Sequence, residues 1–112
     1  MTEPDRIRAV LQTAGVPVYM DEYTGTEERY IVYTLSAMPL IFGNDAPAIG
    51  KISATVHYYC PVEEDPTPVT AQLQRALFAA GYTWPALPVG SMVEGTQRHS
   101  VLECASEEMI GL

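Results

Sequence analysis

The chain has 112 residues, with six Lys and Arg against fourteen Asp and Glu, and its formal net charge is −8. This length supports one hydrophobic core, so we predict a single domain over residues 1–112. A protein that binds nucleic-acid phosphates or an anionic membrane needs clustered cations. The six basic residues are dispersed along the chain, which argues against both classes of partner.

The first residues lack the basic start and continuous apolar core of a signal peptide. No apolar run approaches the roughly 20 residues that span a bilayer. We therefore expect a cytoplasmic protein with no membrane partner. In that compartment Cys60 and Cys104 are expected to be buried, reduced thiols, with one disulfide between them as the alternative.

The first predicted helix begins with the capping and acidic residues 2–5. Its apolar positions recur at helical spacing and stop before Gly15. These positions are Ile7, Val10, Leu11 and Ala14. Residues 18–20 then predict a short strand at a sheet edge, because Pro17 cannot donate to a ladder.

Two stronger strand candidates follow. Residues 29–35 are rich in β-branched and aromatic side chains, which is typical of a central strand. Residues 50–60 alternate, which predicts a half-buried antiparallel strand. One face carries Ile52, Ala54, Val56 and Tyr58, and the other carries Ser53, Thr55, His57 and Tyr59.

The segment between these strands, residues 38–50, reads "MPLIFGNDAPAIG" and is both apolar and rich in turn residues. A loop that only joins two strands is usually short and polar. We interpret residues 38–42 as an extension of the first strand beyond the sheet, which makes the hairpin a projecting arm that contacts another chain. The predicted interface residues are Met38, Leu40, Ile41, Phe42, Asn44 and Asp45.

The second half of the chain predicts a helix and two strands. Thr67 and Pro68 provide a cap and a first-turn proline for the helix, and Gly81 ends it. Residues 91–93 predict a short irregular strand, and residues 99–106 a final one. The order α-β-β-β-α-β-β favours an α+β fold, with a mostly antiparallel sheet of four to five strands and both helices on one face.

Four residues of the sequence are candidate metal ligands, but their spacing argues against a metal site. His57 and Cys60 lie an odd number of positions apart on or beside a strand, as do His99 and Cys104. The members of each pair therefore point to opposite faces. We expect no metal and no cofactor.

The sequence also predicts no enzyme. The cysteines neighbour acidic residues, which raises a thiol pKa, and the segment around Ser91 lacks the glycine that a nucleophile elbow requires. No glycine-rich phosphate loop with its lysine is present. The acidic runs lie at predicted turns, where we expect solvation. We therefore assign no catalytic or cofactor-binding residue.

Several phrases together resemble the small tail terminator, or tail completion, proteins of long-tailed phages and prophages. They are "GVPVYMDEYTGTEERYIVY" after the first helix, "FGND" before the "KISATVHYYCP" strand, "LFAAGY" at the end of the second helix, and the late "RHSVLE" strand. Asn44 and Asp45 stand where the family tends to have an Asp-Asn-type turn, and His99 precedes the last strand. The resemblance covers most of the chain.

The resemblance implies a structural virion protein that forms a ring, usually hexameric, on the head-proximal end of the tail tube. Its partners would be further copies of itself, the tail tube protein and the head connector or neck protein. It would be found in the host cytoplasm during assembly and then in the virion. DNA would pass through the ring without specific binding, and an acidic wall would oppose adhesion of phosphate.

Two alternatives remain open from the sequence. One is another component of the head–tail neck, such as a stopper or an adaptor. The other, from a different class, is a small-molecule-binding domain or enzyme with a pocket among Tyr58, Trp84 and His99.

Overall fold

The computed structural model describes residues 3–43, 46–88, 90–106 and 110–111. The chain forms α1 (Glu3–Gln12), β1 (Val18–Met20), β2 (Tyr30–Gly43), β3 (Ala46–Pro61), α2 (Thr67–Ala79), β4 (Ser91–Glu94), β5 (Gln97–Ala105) and β6 (Ile110–Gly111). This order confirms the sequence prediction, except that β6 was not predicted.

The strands form one mostly antiparallel sheet in the order β1-β2-β3-β5-β4, and β6 pairs with β3 off this path. β1 pairs with β2 in parallel, and the other pairs are antiparallel. The sheet and the two helices confirm the predicted α+β class. β1 lies at the edge of the sheet, where Pro17 led us to expect it.

Both helices cover the same face of the sheet. Ile7 and Leu11 of α1 and Leu73 and Leu77 of α2 are fully buried in one cluster with sheet residues. The sheet contributes Ile31, Tyr33, Ala54, Val56, Tyr58, Cys60, Leu102 and Cys104. These residues alternate along β2, β3 and β5, as expected for strands with one face in the core, and the alternation predicted along β3 is confirmed. None of the described helices is long and apolar enough to span a bilayer.

The start of α2 differs in detail from the prediction. Thr67 is the first helical residue rather than the cap, and Pro66 is the N-cap, without a side-chain cap bond. The Thr67 backbone N–H instead donates to Asp65 Oδ1 at 3.0 Å. An acceptor two residues upstream thus satisfies one of the free amides at the helix start.

Cys60 and Cys104 are free thiols buried on the helix-covered face, as predicted. Cys60 pairs with Arg98 in the β3–β5 register, whereas Cys104 pairs with Ala54, six residues earlier along β3. Burial raises the pKa of both thiols, that of Cys104 to about 11. Neither has the thiolate character of a nucleophile.

Candidate functional site

The β2–β3 hairpin extends beyond the rest of the sheet. β5 pairs with β3 only from Ser53 to Pro61, and β1 covers β2 only from Ile31 to Tyr33. Beyond these points the described neighbours of the hairpin are β6, at Ile49 and Gly50, and Ser106, which forms two hydrogen bonds with the Ile52 backbone. A strand rises roughly 3.4 Å per residue, so the 16 residues of β3 account for the molecule's longest dimension of 53 Å.

The edge of β2 that faces away from β3 does not offer a continuous row of backbone hydrogen-bonding groups to another strand. Ile31 N donates to Pro17 O, and Asp21 N donates to Tyr33 O, so the odd-numbered backbone groups of β2 point away from β3. Pro39 is also odd-numbered, so its backbone nitrogen lies on the side away from β3. The N–H that proline lacks therefore removes no hydrogen bond to β3. The register shifts just after Pro39, which marks a bulge. Proline and a bulge are devices that discourage strand addition at a sheet edge.

The predicted arm residues lie on or beyond this extension. Met38 pairs with Lys51 and is 37% exposed. Leu40, Ile41 and Phe42 belong to β2, which confirms that residues 38–42 prolong the first strand. The side chains of residues 39–49 fall outside the described part of the structure, as do Asn44 and Asp45 altogether. Their role in an interface stays a prediction.

The sheet face opposite the helices carries a row of stacked rings. Tyr30 pairs with Tyr59, and Tyr59 pairs with His99, so three neighbouring strands place one ring each side by side. The ring centroids lie 4.7 Å apart for Tyr30–Tyr59 and 4.3 Å for Tyr59–His99. Tyr23, from the segment after β1, stacks on Tyr30 at 3.6 Å. We call this surface the ring face; it comprises these four residues and His57.

His57 and His99 meet at the β5 end of the row. His57 Nδ1 lies 2.7 Å from His99 Nε2, and His99 Nδ1 lies 3.1 Å from Glu94 Oε1. His99 is buried, whereas His57 and Glu94 are open to solvent on one side. Partial burial and the neighbouring His99 lower the pKa of His57, and Glu94 and Glu103 oppose that shift.

The other end of the row is anchored by one carboxylate. The Tyr19 and Tyr23 hydroxyls both donate to Glu27, at 2.9 Å to Oε1 and 3.0 Å to Oε2 respectively. A side chain at Gly25 would collide with Glu27 and with the Tyr19 hydroxyl. Partial burial, together with the Glu27 hydrogen bond, raises the pKa of Tyr23 to about 12.

The structure separates the residues of the hypothetical small-molecule pocket. Tyr58 is buried beneath the helices, whereas His99 belongs to the ring face on the opposite side of the sheet. Trp84 is 53% exposed and packs edge-to-face against Phe78 of α2. The prediction of a pocket shared by Tyr58, Trp84 and His99 is therefore wrong.

The members of each His–Cys pair point to opposite faces of the sheet, as the spacing predicted, but the contact between the two histidines was not predicted. Cys60 and Cys104 face the helices, and His57 and His99 face the other way. The two histidines instead meet each other across β3 and β5. Sequence alternation did place His57 and Tyr59 on the non-core face, yet the β3–β5 register that brings in His99 is a long-range property. Among the described residues no group of three metal-ligating side chains occurs.

Comparison with known proteins supports the fold. No protein-family model matches the sequence, and no curated protein matches it. Eight chains of solved structures do match. One of them, whose name states no function, has a TM-score of 0.53 and 14% sequence identity, and the match covers 94% of each chain. At this identity the likeness is evidence for the fold alone.

Proposed function

We propose that this protein is a tail terminator: a structural virion protein that forms a ring on the tail tube of a long-tailed phage or prophage, halts tube growth and joins the tail to the head connector. The observation that carries the proposal is the hairpin, which extends past β1 and β5. A subunit that assembles with others needs a surface beyond its own core, and the hairpin supplies one.

The hairpin is better suited to contact a neighbouring subunit through its side chains than through backbone strand pairing. Strand addition needs a continuous row of free backbone groups, and Pro39 with the following bulge interrupts that row. The segment from Met38 to Phe42 nevertheless contributes four large apolar residues. Large apolar side chains are typical interface anchors. In a ring, each subunit would place this segment against the next copy or against the tube.

The charge of the chain suits a channel through which DNA passes. The net charge of −8 would repel phosphate, so DNA would not adhere to the wall. The few cations of the described residues are partly engaged: Arg29 pairs with Glu64, and Arg6 pairs with Glu3. We expect no detectable binding of duplex DNA at near-physiological salt.

The runner-up is another neck component, a stopper or an adaptor on the head side. A stopper or adaptor would also form a ring and have the same acidic charge, so only its binding partner would distinguish it from a terminator. A terminator binds purified tail tubes in the absence of connector, whereas a stopper or adaptor requires the connector.

The decisive experiment replaces Leu40, Ile41 and Phe42 together with Ser. If the segment is an assembly element, the variant stays folded by circular dichroism and its melting midpoint falls by only a few degrees, because surface changes cost roughly 0.5 kcal/mol each. Tail capping, measured as tail length by electron microscopy, is lost, because interface anchors contribute about 2 kcal/mol or more each.

A matched control replaces three apolar residues exposed elsewhere, Phe78, Leu87 and Val93, which are 50%, 37% and 57% exposed. This variant is expected to cap tails normally. A hairpin variant that unfolds would mean that these residues belong to the core. A folded hairpin variant that still caps tails would contradict the proposed role of the hairpin.

A further inference from the structure

We propose that the cavity between α2 and the β4–β5 hairpin binds a small zwitterion of the α-amino-acid class. The cavity has a volume of about 500 Å³, which is within the range of small-molecule sites. Charged groups of both signs line it, together with hydroxyl groups and a few apolar side chains. The site does not depend on the proposed assembly function.

The Ser100 hydroxyl is a buried polar group that opens into this cavity. Ser100 lies on β5, pairs with Ser91 of β4 and is only 2% exposed. Its hydroxyl forms no hydrogen bond with a described residue. Every unpaired side-chain oxygen of the buried or half-buried described residues still reaches solvent, so this oxygen faces the cavity that Ser100 lines. Such a hydroxyl is stabilised when a ligand supplies the missing hydrogen bond.

The guanidinium of Arg98 is held in place beside Ser100, two positions away on the same face of β5. Its Nε and Nη2 atoms donate to Val62 O at 3.2 and 2.9 Å, and Nη1 donates to Ser91 Oγ at 3.1 Å. A guanidinium has five N–H donors, so two remain after these three hydrogen bonds to described residues. Because the group is already fixed, little side-chain entropy is lost when a carboxylate binds. Arg98 and Ser100 therefore bind the carboxylate of the ligand.

Glu63 and Gln74 provide acceptors on the same cavity. Gln74 Nε2 donates to Pro85 O at 2.9 Å, which leaves the amide oxygen free to accept. Glu63 is exposed, and its carboxylate pairs with no residue in the described part of the chain. An ammonium group only donates. Glu63 and Gln74 therefore bind the ammonium of the ligand.

The charges around the cavity favour a ligand that carries both signs. Besides Arg98, the lining contains Glu63, Glu64 and Asp65, of which Glu64 already has an ion-pair partner. The hydrogen bonds from Thr67 and the charge of Arg98 both lower the pKa of Asp65, so the cation and the carboxylates act on the same region. A simple anion would be repelled by the carboxylates, and a simple cation would be repelled by Arg98. A zwitterion satisfies both sets of groups.

L-leucine is the probe for the test, because Ala71 and Leu87 give the cavity an apolar part that suits its side chain. The ¹⁵N-labelled full-length protein is titrated at neutral pH and followed by NMR. We expect saturable shifts at the backbone amides of Ala71 and Ser100. The analogue 4-methylpentanoate lacks the ammonium, and 3-methylbutylamine lacks the carboxylate. Each is expected to bind at least about tenfold more weakly, because one charge-assisted contact is lost.

Two variants test the assigned contacts, and a third is the matched control. Ser100→Ala removes a hydroxyl that has no partner among the described residues, so the melting midpoint should not fall, whereas L-leucine binding should weaken at least about threefold. Glu63→Gln should weaken binding of L-leucine and 3-methylbutylamine but not of 4-methylpentanoate. Glu22→Gln removes an exposed carboxylate outside the cavity and should change the affinity by less than about twofold.

Three results would overturn the site. They are the absence of saturable shifts up to tens of millimolar L-leucine, equal affinity for L-leucine and its two analogues, and unchanged affinity in folded Ser100→Ala and Glu63→Gln. Shifts confined to the ring face would place the binding on the other side of the sheet and would contradict the proposal equally.

Discussion

The two faces of the sheet are built from the same strands, yet they differ in what holds their side chains. On the helix-covered face, Val56 and Leu102 are fully buried and pack against α1 and α2. On the ring face, Tyr59 and His99 are held by stacking on one another and by hydrogen bonds at the two ends of the row. One face therefore owes its order to apolar burial, and the other to directional contacts that solvent conditions can change.

The largest expected difference concerns neighbouring residues of β5. Leu102→Ala should lower the free energy of unfolding by about 2–5 kcal/mol, because it removes a fully buried side chain and leaves a cavity. Val101→Ala, on the other face and only partly buried, should cost less than about 1 kcal/mol. Urea denaturation of the purified protein measures both. Equal costs would show that the ring face is covered in solution by another chain.

The stack on the ring face gives the next largest effect. Tyr59→Leu removes two close ring contacts, with Tyr30 and His99, and a more distant one with His57 at 6.5 Å, while it keeps apolar bulk. Aromatic pairs contribute about 0.5–1.5 kcal/mol each beyond burial, so loss of the two close pairs is expected to cost about 1–3 kcal/mol. Tyr59→Phe preserves these ring contacts and should stay within about 0.5 kcal/mol of the wild type. A loss of the same size in both variants would assign the effect to the hydroxyl group.

Acid should weaken the ring face selectively. The pKa of His57 is lowered from its usual 6.5 by partial burial and by His99. The unfolded chain therefore binds this proton more readily, so stability is complete above pH 6.5 and falls as the pH drops below it. Glu94 and Glu103 reduce the effect. His57→Gln should flatten the dependence between pH 6.5 and 5, measured by urea denaturation, and an unchanged slope would exclude His57 as its source.

The contrast between the faces also explains what sequence could predict. Alternation along β3 assigned Val56 and Tyr58 to one face and His57 and Tyr59 to the other, and the structure confirms it. The contact between His57 and His99 was missed because it depends on the β3–β5 register, which no local pattern encodes. The two-residue strand β6 was missed because so short a segment carries no periodicity.

The smallest expected effect tests the anchor at the far end of the row. Tyr23 has its pKa raised to about 12 by partial burial and by the hydrogen bond to Glu27. Glu27→Gln removes the negative charge that opposes phenolate formation, so Tyr23 should ionise at lower pH. NMR titration of the assigned Tyr23 ring measures the shift, and Tyr58, which Glu27 does not contact, serves as the internal reference.

The same titration separates the carboxylate from the stack. Glu28→Gln is the matched control, because Glu28 is an exposed neighbour that accepts no hydrogen bond from Tyr19 or Tyr23. It removes the same charge and should leave the Tyr23 midpoint nearly unchanged. If Glu27→Gln also leaves it unchanged, burial against Tyr30 alone raises the pKa, and the row is held by ring contacts without its carboxylate anchor. If both variants lower it equally, the effect is a general one of surface charge, which salt would screen.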